Sequence, residues 1–403
     1  MAGSLAAQMI TVLASPILTR IYSPGEMGTF ALYTSVIAIL ALVSTARYDF
    51  AIISPRSGQS ARILVQLVMI VSGTVLLSST AVLAVWHLIT AMSAGSAPAA
   101  WLWVALAGAF LSALQAGYGA YLLRSRRYRS LALTRVFMSV ASAALAIGMG
   151  SLGFGTWGLL ISSLIALLLG TLLMTGQSPP ALWKRSSGHR LTAVAKRYIN
   201  YPRFDLPSSL IGVAGSQVPT LLLGVLFGSS FLGFYAIVDR ICLAPLTVIG
   251  AAIGSVFRVR ATQLALETGD FRQEYLRTFV RLILPAFIIF SPLVLFGPEI
   301  FSLVFGDKWR TAGEIAQIMA PLYFLRLIAS PLSMSLYVRN RMKVDLLGQT
   351  SLGLASVTAM TIGWLAGDPW VALKLIVLLS GALYVGYIGY GWRISKALPN
   401  PVR

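Results

Sequence analysis

The sequence predicts an all-α membrane protein of about twelve transmembrane helices. Three observations carry this: apolar runs of about 20 residues, short basic connections between them, and only 11% charged residues over 403 positions. A water-soluble chain of this length carries roughly a quarter of its residues charged, so a soluble fold is excluded. In the first half the spans fall near 2 to 19, 26 to 46, 63 to 88, 101 to 123, 131 to 150 and 156 to 175. In the second half they fall near 206 to 227, 231 to 257, 278 to 297, 313 to 337, 345 to 366 and 370 to 392.

Six spans on each side predict a duplicated chain: a bundle over 1–180, a basic linker over 181–205 and a second bundle over 206–403. An even number of spans per half keeps both halves in one orientation, as parallel repeats related by an axis along the membrane normal. A short echo agrees. Pro16 is followed by Gly28-Thr29-Phe30-Ala31, and Pro219 by Gly233-Phe234-Tyr235-Ala236. Each match begins at the opening helix of its half, where Pro16 and Pro219 are candidate helix breaks beside a midplane binding site. The competing reading is a proline kink whose freed backbone groups are satisfied by neighbouring helices.

The formal net charge of +19 raises a nucleic-acid partner, and the positions of the cations exclude it. They cluster in alternate connections: Arg47, Arg56 and Arg62; Arg124 to Arg129; Lys184 to Arg203; Arg258 to Arg281; Arg339 to Lys343; and Arg393, Lys396 and Arg403. The intervening connections hold little beyond Arg20, Lys308 and Arg310. Because basic loops stay on the cytoplasmic side, this asymmetry predicts cytoplasmic termini. The same clusters can attract anionic membrane lipids, although orientation alone accounts for them.

A single cysteine, Cys242, excludes an internal disulfide. His87 and His189 lie far apart, so the sequence predicts no metal, no catalytic triad and no cofactor. The N-terminus lacks a charged region and a cleavage signal and reads as the first span. Trp86, Trp101, Trp103, Trp157, Trp309 and Trp370 cluster toward outer span ends, as interfacial anchors do. Lys374, near the outer end of the last span, snorkels to the interface.

Asp239, Arg240 and Arg326 fall near the middle of their spans. Arg240 lies roughly 14 Å past the expected start of its helix, close to the centre of a ~30 Å hydrocarbon core. An arginine there costs at least ~2.5 to 3.5 kcal/mol without a partner or a wet cavity. An ion pair of Asp239 with Arg326 accounts for one cation. Arg240, with Arg20 near the outer end of the first span, leaves cationic charge for an anion, and the planar guanidinium suits phosphate. Asp239 is also a candidate coupling group. Arg47 and Asp49 close the second span in the run Ala46-Arg47-Tyr48-Asp49, where they read as an interfacial pair by position, with Arg47 a further candidate for the anion.

These residues resemble the polysaccharide transporter family, the O-antigen and exopolysaccharide flippases of the multidrug/oligosaccharidyl-lipid/polysaccharide exporter superfamily. The resemblance rests on Ser15-Pro16-Ile17-Leu18-Thr19-Arg20-Ile21-Tyr22-Ser23-Pro24 with Gly28 and Phe30, and on Arg47-Tyr48-Asp49 with Ala51-Ile52. It continues in Gly233-Phe234-Tyr235-Ala236 with Asp239-Arg240 and Pro245, in Phe305 to Arg310 with Ala312, and in Arg326 with Ser330-Pro331-Leu332. Nearly the whole chain is covered. Almost nothing precedes the first span, which departs from the family pattern and predicts a short first helix.

The resemblance implies two pseudo-symmetric six-helix bundles around a central cavity that faces each side in turn. It implies an inner-membrane transporter of a polyprenyl-pyrophosphate-linked oligosaccharide, acting beside glycosyltransferases and a polysaccharide polymerase. Two rival functions differ in their sequence demands. A multidrug exporter of the same superfamily suits central carboxylates better than central arginines. A membrane polymerase or ligase requires a substantial outer loop with catalytic groups, whereas the longest outer connection, Phe296 to Gly313, is short and lacks histidine. Glu299, Asp307 and Glu314 around it read as solvated carboxylates.

Overall fold

A computed structural model describes residues 2–55, 57–92, 99–178 and 186–396. Arg56, Lys184 and Arg403, counted above among the basic connections, lie outside the described residues. The described chain is helical, and its contacts divide it into two compact units. The first comprises Met1–Tyr22 with Thr29–Gln217, and the second Ser23–Gly28 with Val218–Arg403. The division falls between 217 and 218, so residues 206–217 and the described part of the expected linker belong to the first unit.

In chain order the first half contains α1 (Ala2–Ile21), α2 (Pro24–Thr45), the short α3 (Tyr48–Ala51), α4 (Gly58–Met92), α5 (Trp101–Arg124), α6 (Tyr128–Ser151) and α7 (Thr156–Gly176). The basic α8 (Gly188–Arg197) and a π-turn, Tyr201–Asp205, lead into α9 (Leu206–Phe227). Then come α10 (Ser229–Glu267), α11 (Arg272–Phe305), α12 (Arg310–Leu332), the short α13 (Met334–Val338), α14 (Met342–Leu365) and α15 (Pro369–Ile394). Nine of the described helices are long and apolar enough to cross a bilayer, ten when the bent pair Tyr201–Val213 and Gly215–Phe227 counts as one span. That pair bends by 49°. Pro219 lies inside α9, four residues past Gly215 where the second segment begins. Pro16 lies inside the unbroken α1.

Small residues and a few polar clamps hold the first unit. Tyr33 and Ile37 of α2 pack with Ala105 of α5 and Leu160 of α7. The Tyr22 hydroxyl donates to the Ala146 carbonyl of α6 at 2.7 Å. A second cluster, including Tyr48, Ile52, Leu64, Val68, Tyr118 and Leu122, receives the apolar face of α8 through Leu191, Val194 and Ala195. The opposite face of α8 exposes Arg190, Lys196 and Arg197.

The second unit is organised by aromatic contacts. Phe257 meets Phe271 and Tyr275 edge-on, and Tyr275 meets Trp392. Trp309, expected at the interface, is instead fully buried, edge-on against Phe234 at 5.7 Å. Trp86, Trp103 and Trp157 are exposed, as anchors are. At the basic end, Arg339 donates to the carbonyls of Gly269, Ile394 and Lys396 at 2.7 to 2.8 Å, tying three chain segments together.

One helix cap recurs at corresponding places in the two halves of the chain. After α5, Arg126 adopts φ 57°, with Arg127 N–H bonded to Leu122 O and Arg126 N–H to Leu123 O. After α13, Asn340 adopts φ 54°, with Arg341 N–H bonded to Leu336 O and Asn340 N–H to Tyr337 O. The same cap follows α6 at Gly153 and α14 at Gly367, again with both bonds. Residue numbers 340 less 126 and 367 less 153 both give 214.

Candidate functional site

On α10 the residues Tyr235, Asp239 and Cys242 recur at helical spacing and share one face. Asp239 lies ten residues past Ser229, about 15 Å along the helix at 1.5 Å per residue. A carboxylate at that depth requires a donor. The Tyr323 hydroxyl of α12 supplies one, donating to Asp239 Oδ1 at 2.8 Å. Tyr323 is itself buried and stacks on Phe290 of α11, with centroids 6.3 Å apart and planes at 17°. One helical turn along α12, half-buried Arg326 shares the field of Tyr384, Tyr323, Asp239 and Tyr235.

The expected contact of Asp239 with Arg326 is therefore electrostatic and not a direct ion pair. Salt bridges among the described residues include Arg47–Asp205, Arg260–Glu274 and Arg310–Glu299. Arg240 is half-buried beside Asp239 and displaced about 100° around the helix from it. Neither Arg240 nor Arg326 makes a hydrogen bond or salt bridge among the described residues. Two guanidinium forks with donors to spare thus accompany one carboxylate already held by a tyrosine.

The first unit holds the other candidates. Ala46 and Arg47 adopt φ 45° and 61°, a left-handed pair that turns the chain sharply out of α2. The turn is fixed by an Arg47 N–H bond to Thr45 Oγ1 at 3.2 Å. Arg47 stands over the Phe50 ring at 3.6 Å, and its Nε donates to Asp205 Oδ2 at 2.6 Å. The interfacial pair expected with Asp49 is thereby replaced: the left-handed turn sends Arg47 to the π-turn. Asp49 is instead buried, and its Oδ1 has no hydrogen-bond partner among the described residues. Burial raises the Asp49 carboxyl above the ordinary carboxylate range, against the opposing pull of Thr45 and Arg47. Arg20 is exposed in the last turn of α1.

Pro16, Arg20, Arg47 and Asp49 thus belong to the first unit, and Pro219, Asp239, Arg240 and Arg326 to the second. Sequence reasoning missed Tyr323 and Asp205. The signal for Tyr323 was its place three residues before Arg326; that for Asp205 was a carboxylate closing a basic stretch. Among the carboxylates around the α11–α12 connection, Glu299 faces Arg310 at 3.5 Å and Asp307 accepts a bond from Ser302 Oγ. No cluster of metal-ligating side chains occurs among the described residues.

This is a multi-pass helical membrane protein with the fold of the transporter and flippase described next. Its structure is similar to an inward-facing multidrug resistance MATE family transporter of the MOP superfamily, with TM-score 0.72 and 15% identity over 96% of this chain and 94% of that one. It is also similar to the lipid II flippase MurJ in an inward closed conformation, with TM-score 0.70 and 13% identity over 98% and 90%. The chain belongs to the family of polysaccharide biosynthesis proteins, which matches residues 17–314. Among relatives, the succinoglycan biosynthesis transport protein ExoT of Rhizobium meliloti is 24% identical over 99% of this chain and 78% of its own length. The teichuronic acid biosynthesis protein TuaB of Bacillus subtilis is 24% identical over 48% of this chain, and the match spans 41% of TuaB.

Proposed function

We propose that this protein is a flippase that carries a polyprenyl-pyrophosphate-linked oligosaccharide from the cytoplasmic to the periplasmic leaflet for surface polysaccharide synthesis. The observation that carries the reading is the pair Arg240 and Arg326, half-buried at membrane depth with no hydrogen-bond or salt-bridge partner among the described residues. Charge at that depth is expensive unless it meets a counter-ion, and a pyrophosphate supplies one that departs when transport is complete. The likeness along 99% of this chain to a succinoglycan transport protein and the fold of a lipid II flippase support a lipid-linked saccharide as cargo.

In this mechanism no bond is made or broken. The guanidiniums hold the pyrophosphate while the polyprenyl tail stays in lipid, and two six-helix bundles, near 1–180 and 206–403, rock to expose the site to each side in turn. Arg47, and Arg20 at the opposite end, provide cations along the route, and Asp239 with Tyr323 sets the local field. The protein resides in the bacterial inner membrane with both termini cytoplasmic, and its partners are the glycosyltransferases and polymerase on either side of the transport step. A drug exporter shares the fold, but a surplus of central cations disfavours cationic drugs.

Complementation tests this. The gene is deleted in its host and restored as wild type or as Arg240→Ala with Arg326→Ala at matched membrane abundance. Loss of surface polymer, build-up of repeat units on the cytoplasmic leaflet and rescue by wild type alone support flipping. Unpolymerised repeat units on the outer leaflet refute it, because the protein then acts after translocation.

A further inference from the structure

Beside the Arg47–Asp205 pair the first unit carries an open groove of about 390 Å³, lined by Asn200, Tyr201, Phe204, Asp205 and Ser208. We propose that this groove is a glycosyl subsite that holds a sugar of the cargo against the rings of Tyr201 and Phe204. The proposal rests on the flippase reading for the identity of the cargo and deepens it by assigning the sugar a place.

The lining chemistry selects the ligand. The groove offers one amide, one hydroxyl and one carboxylate along with two aromatic rings. Neither the Asn200 amide nor the Ser208 hydroxyl has a protein partner among the described residues. Asp205 spends Oδ2 on Arg47 and keeps Oδ1. A pyranose matches this set, since its hydroxyls donate to the carboxylate and amide oxygen, accept from the amide N–H, and its C–H face covers an aromatic ring. A bare phosphate is repelled by Asp205, and a hydrocarbon chain leaves the amide and hydroxyl unused.

Geometry supports a built site. The groove forms on the π-turn, a backbone irregularity that recurs at functional sites. The Tyr201 hydroxyl is bonded to Ser54 Oγ at 2.8 Å, which fixes that ring in advance. Phe204 keeps 62% of its surface open to a ligand, with the Arg203 guanidinium 5.3 Å from its ring centre.

The test measures affinity of the full-length protein in nanodiscs for three probes. These are the lipid-linked repeat unit extracted from the host, the oligosaccharide released from it by mild acid, and sugar-free polyprenyl pyrophosphate. Phe204→Ala and the double change Asn200→Ala with Ser208→Ala are compared with Arg240→Ala plus Arg326→Ala, after melting curves show that each variant folds. Both groove variants are expected to weaken the released oligosaccharide about tenfold and leave the sugar-free lipid within about twofold. The arginine variant is expected to show the reverse pattern. If the repeat unit binds wild type and the groove variants bind the oligosaccharide unchanged, the subsite is refuted and the flippase reading stands. If Phe204→Ala weakens only the sugar-free lipid, the ring is a lipid contact and the proposal also fails. Absence of any repeat-unit binding by wild type overturns both readings.

Discussion

Gly28 and Gly233 meet backbone to backbone inside the second unit. A Cβ on Gly28 would overlap the Ser229 carbonyl, and one on Gly233 would overlap the Pro24 carbonyl, so each glycine closes on the residue four positions before the other. The obstacle in both cases is main chain, which cannot turn aside as a side chain does. Gly28→Ala and Gly233→Ala are each expected to destabilise the folded protein by about 1 to 3 kcal/mol, the usual cost of overpacking. Melting of the detergent-purified protein checks this. Gly25→Ala serves as the comparison, because its Cβ would meet only side-chain hydroxyls, Ser230 Oγ at 3.2 Å and Ser229 Oγ at 3.7 Å, and it should melt close to wild type.

The bond from Tyr323 to Asp239 separates packing from polar satisfaction. Tyr323→Phe keeps the ring on Phe290 and removes the donor, leaving Asp239 Oδ1 without its partner. The expected loss is about 1 to 3 kcal/mol of stability, the desolvation cost of an unpaired buried acceptor. Asp239→Asn keeps an acceptor for the Tyr323 hydroxyl and should lose less. Equal melting of Tyr323→Phe and wild type would show the bond to be dispensable.

Both glycines and the carboxylate were visible in the sequence, but their partners were not. Helix positions follow from the spacing of apolar runs, so the spans were legible to within a few residues except where helices run on past the core, as α4, α10 and α11 do. Arg240 and Arg326 were legible because charge in an apolar run is conspicuous. Tyr323 was not, since tyrosine is ordinary in a membrane helix and only the tertiary contact makes it a donor. The Arg47 pairing was misread for a related reason. A left-handed φ at a non-glycine residue leaves no compositional trace, and that turn takes Arg47 from its sequence neighbour Asp49 to Asp205. Trp309 shows the limit of positional reasoning: a tryptophan at a span end is as well suited to a buried edge-on contact with Phe234 as to an interface.

Asp49 supplies a pH signature. Its carboxyl is raised by burial, so the folded protein binds more protons than the unfolded chain between the ordinary carboxylate value and the raised one. Stability therefore falls as pH rises through that window, and the full penalty is present above it. Melting wild type and Asp49→Asn side by side from acid to neutral pH should show wild type losing ground to the variant as pH rises, then a constant difference. A difference independent of pH across the series would mean that Asp49 does not titrate differently in the folded state.

The repeated caps give a prediction that needs no knowledge of the cargo. Arg126 and Asn340 occupy the same left-handed position after α5 and α13, where glycine is the residue without a steric penalty. Arginine bears that penalty fully, whereas asparagine tolerates the left-handed region better than most side chains. Arg126→Gly should therefore stabilise the protein by about 1 kcal/mol, and Asn340→Gly by less, provided the protein is inserted in the same orientation. Gly153→Ala and Gly367→Ala, at the second pair of caps, should each destabilise by about 1 kcal/mol for the converse reason. Melting curves for the four variants test the set together. If the caps are equivalent by duplication, the two glycine sites respond alike, and the arginine and asparagine sites differ only by the tolerance of their side chains for a positive φ.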